Sequence, residues 1–216
     1  MSKSLNWPNL VTISRLVLVF VVVILVYGHT LWDGLLAAAL AVLLVVSDWL
    51  DGHLARRLDQ ATALGSVLDI AADRILETVM WIILADIDLI PIWIPLVVIA
   101  RGFLTDGIRG YMLKFGYSGF GSKTLQQSKI GKFITGSRIM RSGYAVLKGF
   151  TFGWLLLLAA IDQVLFKWKA FESEWVHIGF DIGYWAAVLA AVVCIIRGIP
   201  VVIEGAALIR EKSDEA

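Results

Sequence analysis

Four aspartates at two short spacings offer the most definite chemistry in this chain. In the run 47–77, SDWLDGHLARRLDQATALGSVLDIAADRILE, Asp48 and Asp51 stand three apart and Asp69 and Asp73 four apart. On helices, each spacing puts both carboxylates on one face. Two adjacent antiparallel helices would then aim all four at one spot. Unpaired carboxylates are costly close to a membrane interior, whereas two divalent cations would match their charge. An all-oxygen donor set selects a hard ion, Mg²⁺, Mn²⁺ or Ca²⁺, over zinc or copper. Gly52 and Ala55 share the face of Asp48 and Asp51 and leave a groove without bulky side chains. Arg56 at its edge suits a phosphate, and Gly65, one turn before Asp69, leaves a matching gap on the facing helix. Metals beside a phosphate-binding arginine point to phosphoryl or phosphatidyl transfer, with metal charge stabilising the transition state.

The elements that must hold these groups follow from composition. The 216 residues are 59% hydrophobic and only 17% charged, with mean hydropathy +0.81; an ordinary soluble domain is about 45–50% apolar and 25% charged. Water is the wrong solvent for most of this chain. Six candidate spans stand out: 16–32 with 11–13 in front, 31–57, 64–87, 92–115, 130–161 and 176–209. Pro91 and Pro95 mark the start of the fourth, and the glycine-bearing stretch 116–128 is expected to be a loop. The N-terminal stretch 1–28 has the basic-then-apolar layout of a signal peptide. Its long apolar core and lack of a small-x-small cleavage site lead us to expect that it is retained.

Basic residues set the expected orientation. With the N-terminus inside, Lys3, Arg56, Arg57, Lys114, Lys123, Lys129, Lys132, Arg210 and Lys212 fall on the cytosolic side, and only Lys167 and Lys169 outside. The sequence therefore predicts an all-α polytopic membrane protein with six transmembrane helices, both termini cytosolic, forming a single domain over 1–216. Trp32, Trp93, Trp168 and Trp175 would lie at the outer interface and Trp7 at the inner one; Trp49, Trp81, Trp154 and Trp185 fit a core position equally well. Lys and Arg number 19 against 18 Asp and Glu, so no global field draws nucleic acid. The lone Cys194 excludes an intrachain disulfide and a thiolate metal site.

Taken together, Asp48, Asp51, Gly52, Ala55, Arg56, Gly65, Asp69 and Asp73 match D-x2-D-G-x2-A-R-x8-G-x3-D-x3-D at every fixed position and spacing. That pattern resembles the signature of the CDP-alcohol phosphotransferase family. Pro8, Asn9, Thr12 and Arg15 are similar to the P-N-x-x-T-x-x-R opening common in that family. The resemblance covers the chain to about residue 140 and implies a six-helix membrane enzyme, often a homodimer, that transfers a phosphatidyl group from a CDP-linked lipid to an alcohol and releases CMP. It implies that Asp48, Asp51 and Asp69 bind two divalent cations, Mg²⁺ or Mn²⁺, with Ca²⁺ a non-catalytic substitute. Asp73 would be the general base and a further metal contact. Asp48, Asp51, Gly52, Ala55, Arg56 and Gly65 would form the cytidine diphosphate site.

The acceptor is expected to be read in the region 101–141. Arg101, Thr105 and Arg109 recur every four residues as a polar stripe, and Lys129 and Lys132 follow; together they suit a second anion. Ala100-Arg101 with Arg109 resembles the A-R-x7-R segment of phosphatidylglycerophosphate synthases. Gly131-Lys132 with Thr135 resembles their G-K-x-K-T, although Ile134 replaces its second lysine; likewise Ile70 and Arg74 replace the proline and final lysine of L-D-P-x-A-D-K. The resemblance implies CDP-diacylglycerol as donor and sn-glycerol 3-phosphate as acceptor, beside membrane lipids. An inositol phosphate or phosphatidylglycerol would present an anion to the same stripe and remains an alternative acceptor. A divalent-cation transporter is the rival of another class, because intramembrane carboxylates also mark ion paths. Glu77, one turn beyond Asp73, fits either a support for that site or a satisfied buried acid.

Overall fold

A computed structural model describes residues 7–58, 63–117, 125–167 and 174–214, with side chains described at 12–47, 68, 70–117, 125–162 and 174–211. Among them every regular element is helical: α1 Trp7–Val26, α2 Leu31–Leu58, α3 Ala63–Asp86, α4 Trp93–Leu113, α5 Lys129–Gly131, α6 Arg138–Lys167 and α7 Glu174–Asp214, with a π-helical stretch, Lys132–Gly136, between α5 and α6. Among the described residues two stretches are long and apolar enough to cross a membrane, Lys129–Asp162 and Glu174–Glu211, while Thr12–Val26 and Leu31–Ser47 are apolar but shorter. In α2, α3 and α4 the charged residues that carry the expected chemistry interrupt the apolar runs. Composition and these helices make this a membrane protein.

The chain divides into two compact units, Met1–Ile92 with Lys148–Ala187, and Trp93–Leu147 with Val188–Ala216. In the first, α1 turns Thr12, Arg15, Val19 and Val22 inward and leaves Ile13, Val17, Phe20 and Ile24 exposed. That spacing of three and four is one helical face, and the apolar residues on the outer face suit lipid rather than water. Helix packing in such a solvent depends on close backbone approach at small residues. A Cβ on Gly34 of α2 would lie 2.5 Å from the Cβ of Ala160 on α6, and one on Gly153 of α6 would strike Val42 of α2. Around these contacts Trp81 is fully buried and meets Phe152 edge-on at 4.9 Å between ring centroids.

The turns of this unit are locally specified. Thr30 caps α2: its Oγ1 accepts from the Asp33 N–H at 3.2 Å while Asp33 Oδ2 accepts from the Thr30 N–H at 3.2 Å, a reciprocal capping box. Between α1 and α2 the Tyr27 hydroxyl donates to the Asp86 carboxylate. Asp88 adopts φ 59° where α3 ends, a left-handed cap in which Leu89 N–H reaches Leu84 O at 3.0 Å.

In the second unit Met112 of α4, Leu125, and Val201 and Leu208 of α7 form a buried cluster, with Ile108 packed on it. Gly205 admits Ile108, and a Cβ on Gly198 would lie 2.8 Å from Cγ of Arg101. Instead of one helix over 130–161, the chain breaks before α6. Ser137 is extended at φ −66°, ψ 143°, and its Oγ accepts from the Met140 N–H at 3.1 Å. Upstream, the Thr135 hydroxyl donates to Gly131 O at 2.7 Å. A hydroxyl bonded back to its own helix and a serine poised as a cap both compete with a continuous helix.

Candidate active site

The backbone carries Asp48, Asp51, Gly52, Ala55 and Arg56 on α2, and Gly65, Asp69 and Asp73 on α3. Of these side chains only that of Asp73 is among those described. Its Oδ1 accepts from Arg15 Nη2 of α1 at 3.1 Å, with the arginine side chain 4% and the aspartate side chain 42% exposed. A buried guanidinium thus anchors a carboxylate that still faces outward. One turn further, Glu77 is 9% exposed; it takes an ion pair from Lys148 at 3.1 Å and another from Arg74 at 3.4 Å. Glu77 is a satisfied buried acid. Among the described residues no three metal-ligating side chains cluster, since Asp48, Asp51 and Asp69 lie outside them. The donor set expected from the sequence would suit a hard cation: four aspartates at helical spacing, with no sulfur or imidazole at the fixed positions.

The expected acceptor residues belong to the second unit. Thr105 is fully buried, and its hydroxyl donates to Arg101 O at 2.9 Å and Gly102 O at 3.1 Å. Its hydrogen is committed to the helix, which leaves Arg101 and Arg109 as the charged groups of that stripe. A third cation joins them from α7. Arg197 lies within electrostatic reach of both Arg101 and Arg109. Arg197 Nη1 donates to Met140 O at 3.3 Å, and its guanidinium sits 5.2 Å from the centre of the Tyr144 ring. Among the described residues the buried Nε atoms of Arg101 and Arg197 have no hydrogen-bond partner. Three like charges held together disfavour one another, and a bound dianion would relieve that repulsion.

Lys129 and Lys132 are exposed at the α5 segment, whose first turn is capped by Ser128: its Oγ accepts from the Gly131 N–H at 2.9 Å. Behind this cap stands Glu204 of α7. It accepts from the Gln127 N–H at 2.5 Å and the Ser128 N–H at 3.4 Å, and also from the Ser128 hydroxyl. Sequence reasoning gave no role to Arg197, Lys148 or Glu204, and noted Arg15 only as part of a motif. The available signal was a charged residue inside an apolar run, which calls for a partner or a ligand.

The fold and composition define a helical membrane protein, with the signature positions on α2 and α3 and a cluster of arginines, Arg101, Arg109 and Arg197, on α4 and α7. A family model described as CDP-alcohol phosphatidyltransferase matches residues 5–168, and the chain belongs to that family. It is an enzyme, a phosphatidyltransferase of phospholipid biosynthesis. It is 27% identical over 190 residues to "CDP-diacylglycerol--glycerol-3-phosphate 3-phosphatidyltransferase" of Bacillus subtilis, covering 79% of this chain and 95% of the relative. A Pseudomonas fluorescens protein of the same name is 33% identical over 115 residues, 52% of this chain and 58% of its own length. "Cardiolipin synthase (CMP-forming)" of Streptomyces coelicolor is 35% identical over 196 residues, 88% of this chain and 83% of the relative. Membership of an enzyme family removes the transporter reading.

Proposed function

We propose that the protein transfers the phosphatidyl group of CDP-diacylglycerol to sn-glycerol 3-phosphate, giving phosphatidylglycerophosphate and CMP. The observation that carries this reading is the Asp73 carboxylate, outward-facing and anchored by buried Arg15 within the eight-residue signature. Asp73 takes the proton of the acceptor hydroxyl as that oxygen bonds to phosphorus and the bond from phosphorus to the CMP oxygen breaks. Asp48, Asp51 and Asp69, with Asp73, would hold two Mg²⁺ or Mn²⁺ ions. Bound there, the ions supply charge that stabilises the pyrophosphate and the departing CMP. Gly52, Ala55 and Gly65 leave room for the cytidine diphosphate, and Arg56 pairs with its phosphates. Arg101, Arg109, Lys129 and Lys132 bind the acceptor phosphate, joined by Arg197, while Thr105 braces α4.

Read as six spans with cytosolic termini, the six long helices support a reaction at the cytosolic face of a bacterial cytoplasmic membrane. The family resemblance further suggests a homodimer. A second reading has an observation in its favour: the similarity to a cardiolipin synthase over most of both chains supports phosphatidylglycerol as acceptor. Purified protein with CDP-diacylglycerol and Mg²⁺ distinguishes them. CMP release dependent on glycerol 3-phosphate, with phosphatidylglycerophosphate as lipid product, is expected. Release driven only by phosphatidylglycerol, with cardiolipin formed, would transfer the assignment to the second reading.

A further inference from the structure

We propose that Glu204 is a positioning residue for acceptor recognition, clamping from α7 the short segment that carries Lys129 and Lys132. The proposal rests on the reading of those lysines as acceptor-binding groups.

Glu204 is fixed by its own helix. Val201, three residues before it, and Leu208, four after, are buried in the cluster with Met112 and Leu125, and Gly205 beside it packs on Ile108. From that base the carboxylate accepts from two successive backbone N–H groups, those of Gln127 and Ser128, and from the Ser128 hydroxyl. The last contact orients a relay. With its hydrogen drawn to Glu204, Ser128 Oγ turns a lone pair to the Gly131 N–H at 2.9 Å. A serine without that carboxylate can rotate its hydroxyl and lose the cap. Gly131 completes the arrangement, because Glu204 Oε1 occupies the place a Cβ would take. Lys129 begins the helical turn so fixed, and Lys132, at its C-cap, opens the π-helical stretch. Short helices do not hold themselves together in isolation, so the direction of both ammonium groups depends on this anchor.

The sign of the effect separates positioning from plain electrostatics. A carboxylate near a site for an anion repels it, so neutralising Glu204 should tighten acceptor binding if charge alone matters. Loss of the clamp should weaken it. The full chain in mixed micelles with CDP-diacylglycerol and Mg²⁺ is titrated with glycerol 3-phosphate, and CMP release is followed. For Glu204→Gln the KM for glycerol 3-phosphate is expected to rise about tenfold, the scale of one charge-assisted hydrogen bond. The KM for CDP-diacylglycerol should stay unchanged. Glu204→Asp, which keeps the charge but falls one methylene short, should give an intermediate value. Gly131→Ala displaces the same carboxylate without removing it and should raise the acceptor KM likewise; it serves if Glu204→Gln does not fold. An acceptor KM that is unchanged or lower in the folded variants overturns the proposal. Lys132→Gln is measured alongside. If it leaves the acceptor KM unchanged, the acceptor reading fails and takes the proposal with it; if it raises that KM while the Glu204 and Gly131 variants do not, only the positioning role falls.

Discussion

Arg15 of α1, almost fully buried, holds the carboxylate of Asp73 on α3 at 3.1 Å, so that the residue cast as proton acceptor is fixed by a helix outside the signature. Two consequences differ in kind. Asp73→Asn removes the base and should lower CMP release by about two to four orders of magnitude, with helical content retained. Arg15→Met removes the anchor and leaves the base. It should lower release less, by roughly tenfold, and also lower the thermal midpoint, since a buried charged partner is lost. Wild-type CMP release from Asp73→Asn would end the base assignment.

Metal dependence is the expectation from the proposed grouping of Asp48, Asp51, Asp69 and Asp73. Exhaustive chelation should abolish CMP release, and Mg²⁺ or Mn²⁺ should restore it, whereas Ca²⁺ should bind without restoring turnover. Activity that persists after chelation, with metal content checked by elemental analysis, would remove the ions from the mechanism.

Arg197 is expected to act with Arg101 and Arg109 rather than independently. Arg197→Gln should raise the KM for glycerol 3-phosphate about tenfold or more, leaving the KM for CDP-diacylglycerol near wild type. Combined with Arg101→Gln, the loss should be less than the product of the two, because residues sharing one ligand couple. Full multiplicativity in steady-state kinetics would argue for separate roles.

Packing of α2 on α6 can be tested without touching the chemistry. Gly34→Ala forces a methyl to within 2.5 Å of the Ala160 Cβ and 3.0 Å of its Cα, and backbone cannot yield there. Overpacking of this kind costs about 1–3 kcal/mol, read as a lower thermal midpoint in detergent. Gly143→Ala is the control. Among the described residues nothing outside its own stretch of helix lies within 4 Å of a Cβ at that position, and exchanging a helical glycine for alanine should leave stability unchanged or raise it by about 0.5–1 kcal/mol.

Much of the architecture could be read from residues. Pro91 and Pro95 bracket the observed start of α4 at Trp93, and helical spacing alone placed the signature carboxylates on α2 and α3. Hydrophobic periodicity was blind to the break between the π-helical stretch and α6. Ile130, Phe133 and Ile134 continue an apolar pattern, while the hydroxyls of Thr135 and Ser137 bond to the backbone around the break. The acceptor stripe was legible on α4 because its members recur within one helix. Arg197 and Glu204 come from α7, far along the chain, and no local spacing connects them to α4 or to Ser128. Trp81 and Trp185 show the same limit: both fit core or surface by composition, yet the first is fully buried and the second 66% exposed.

The length of α7 has a consequence for access. Its 41 residues, with Pro200 among them, give a helical path of about 60 Å at 1.5 Å per residue, twice the roughly 30 Å of the hydrocarbon layer. Even steeply inclined, the helix overruns the acyl chains, and its charged end, Arg210 and Glu211, suits the overhanging part. Glu204 lies less than two turns before that end; with the overhang on that side, the segment it grips would stand at headgroup depth or beyond. A small phosphorylated alcohol dissolved in water could then be captured at the rim, with no need to shed its hydration in the oily layer where the donor's acyl tails reside.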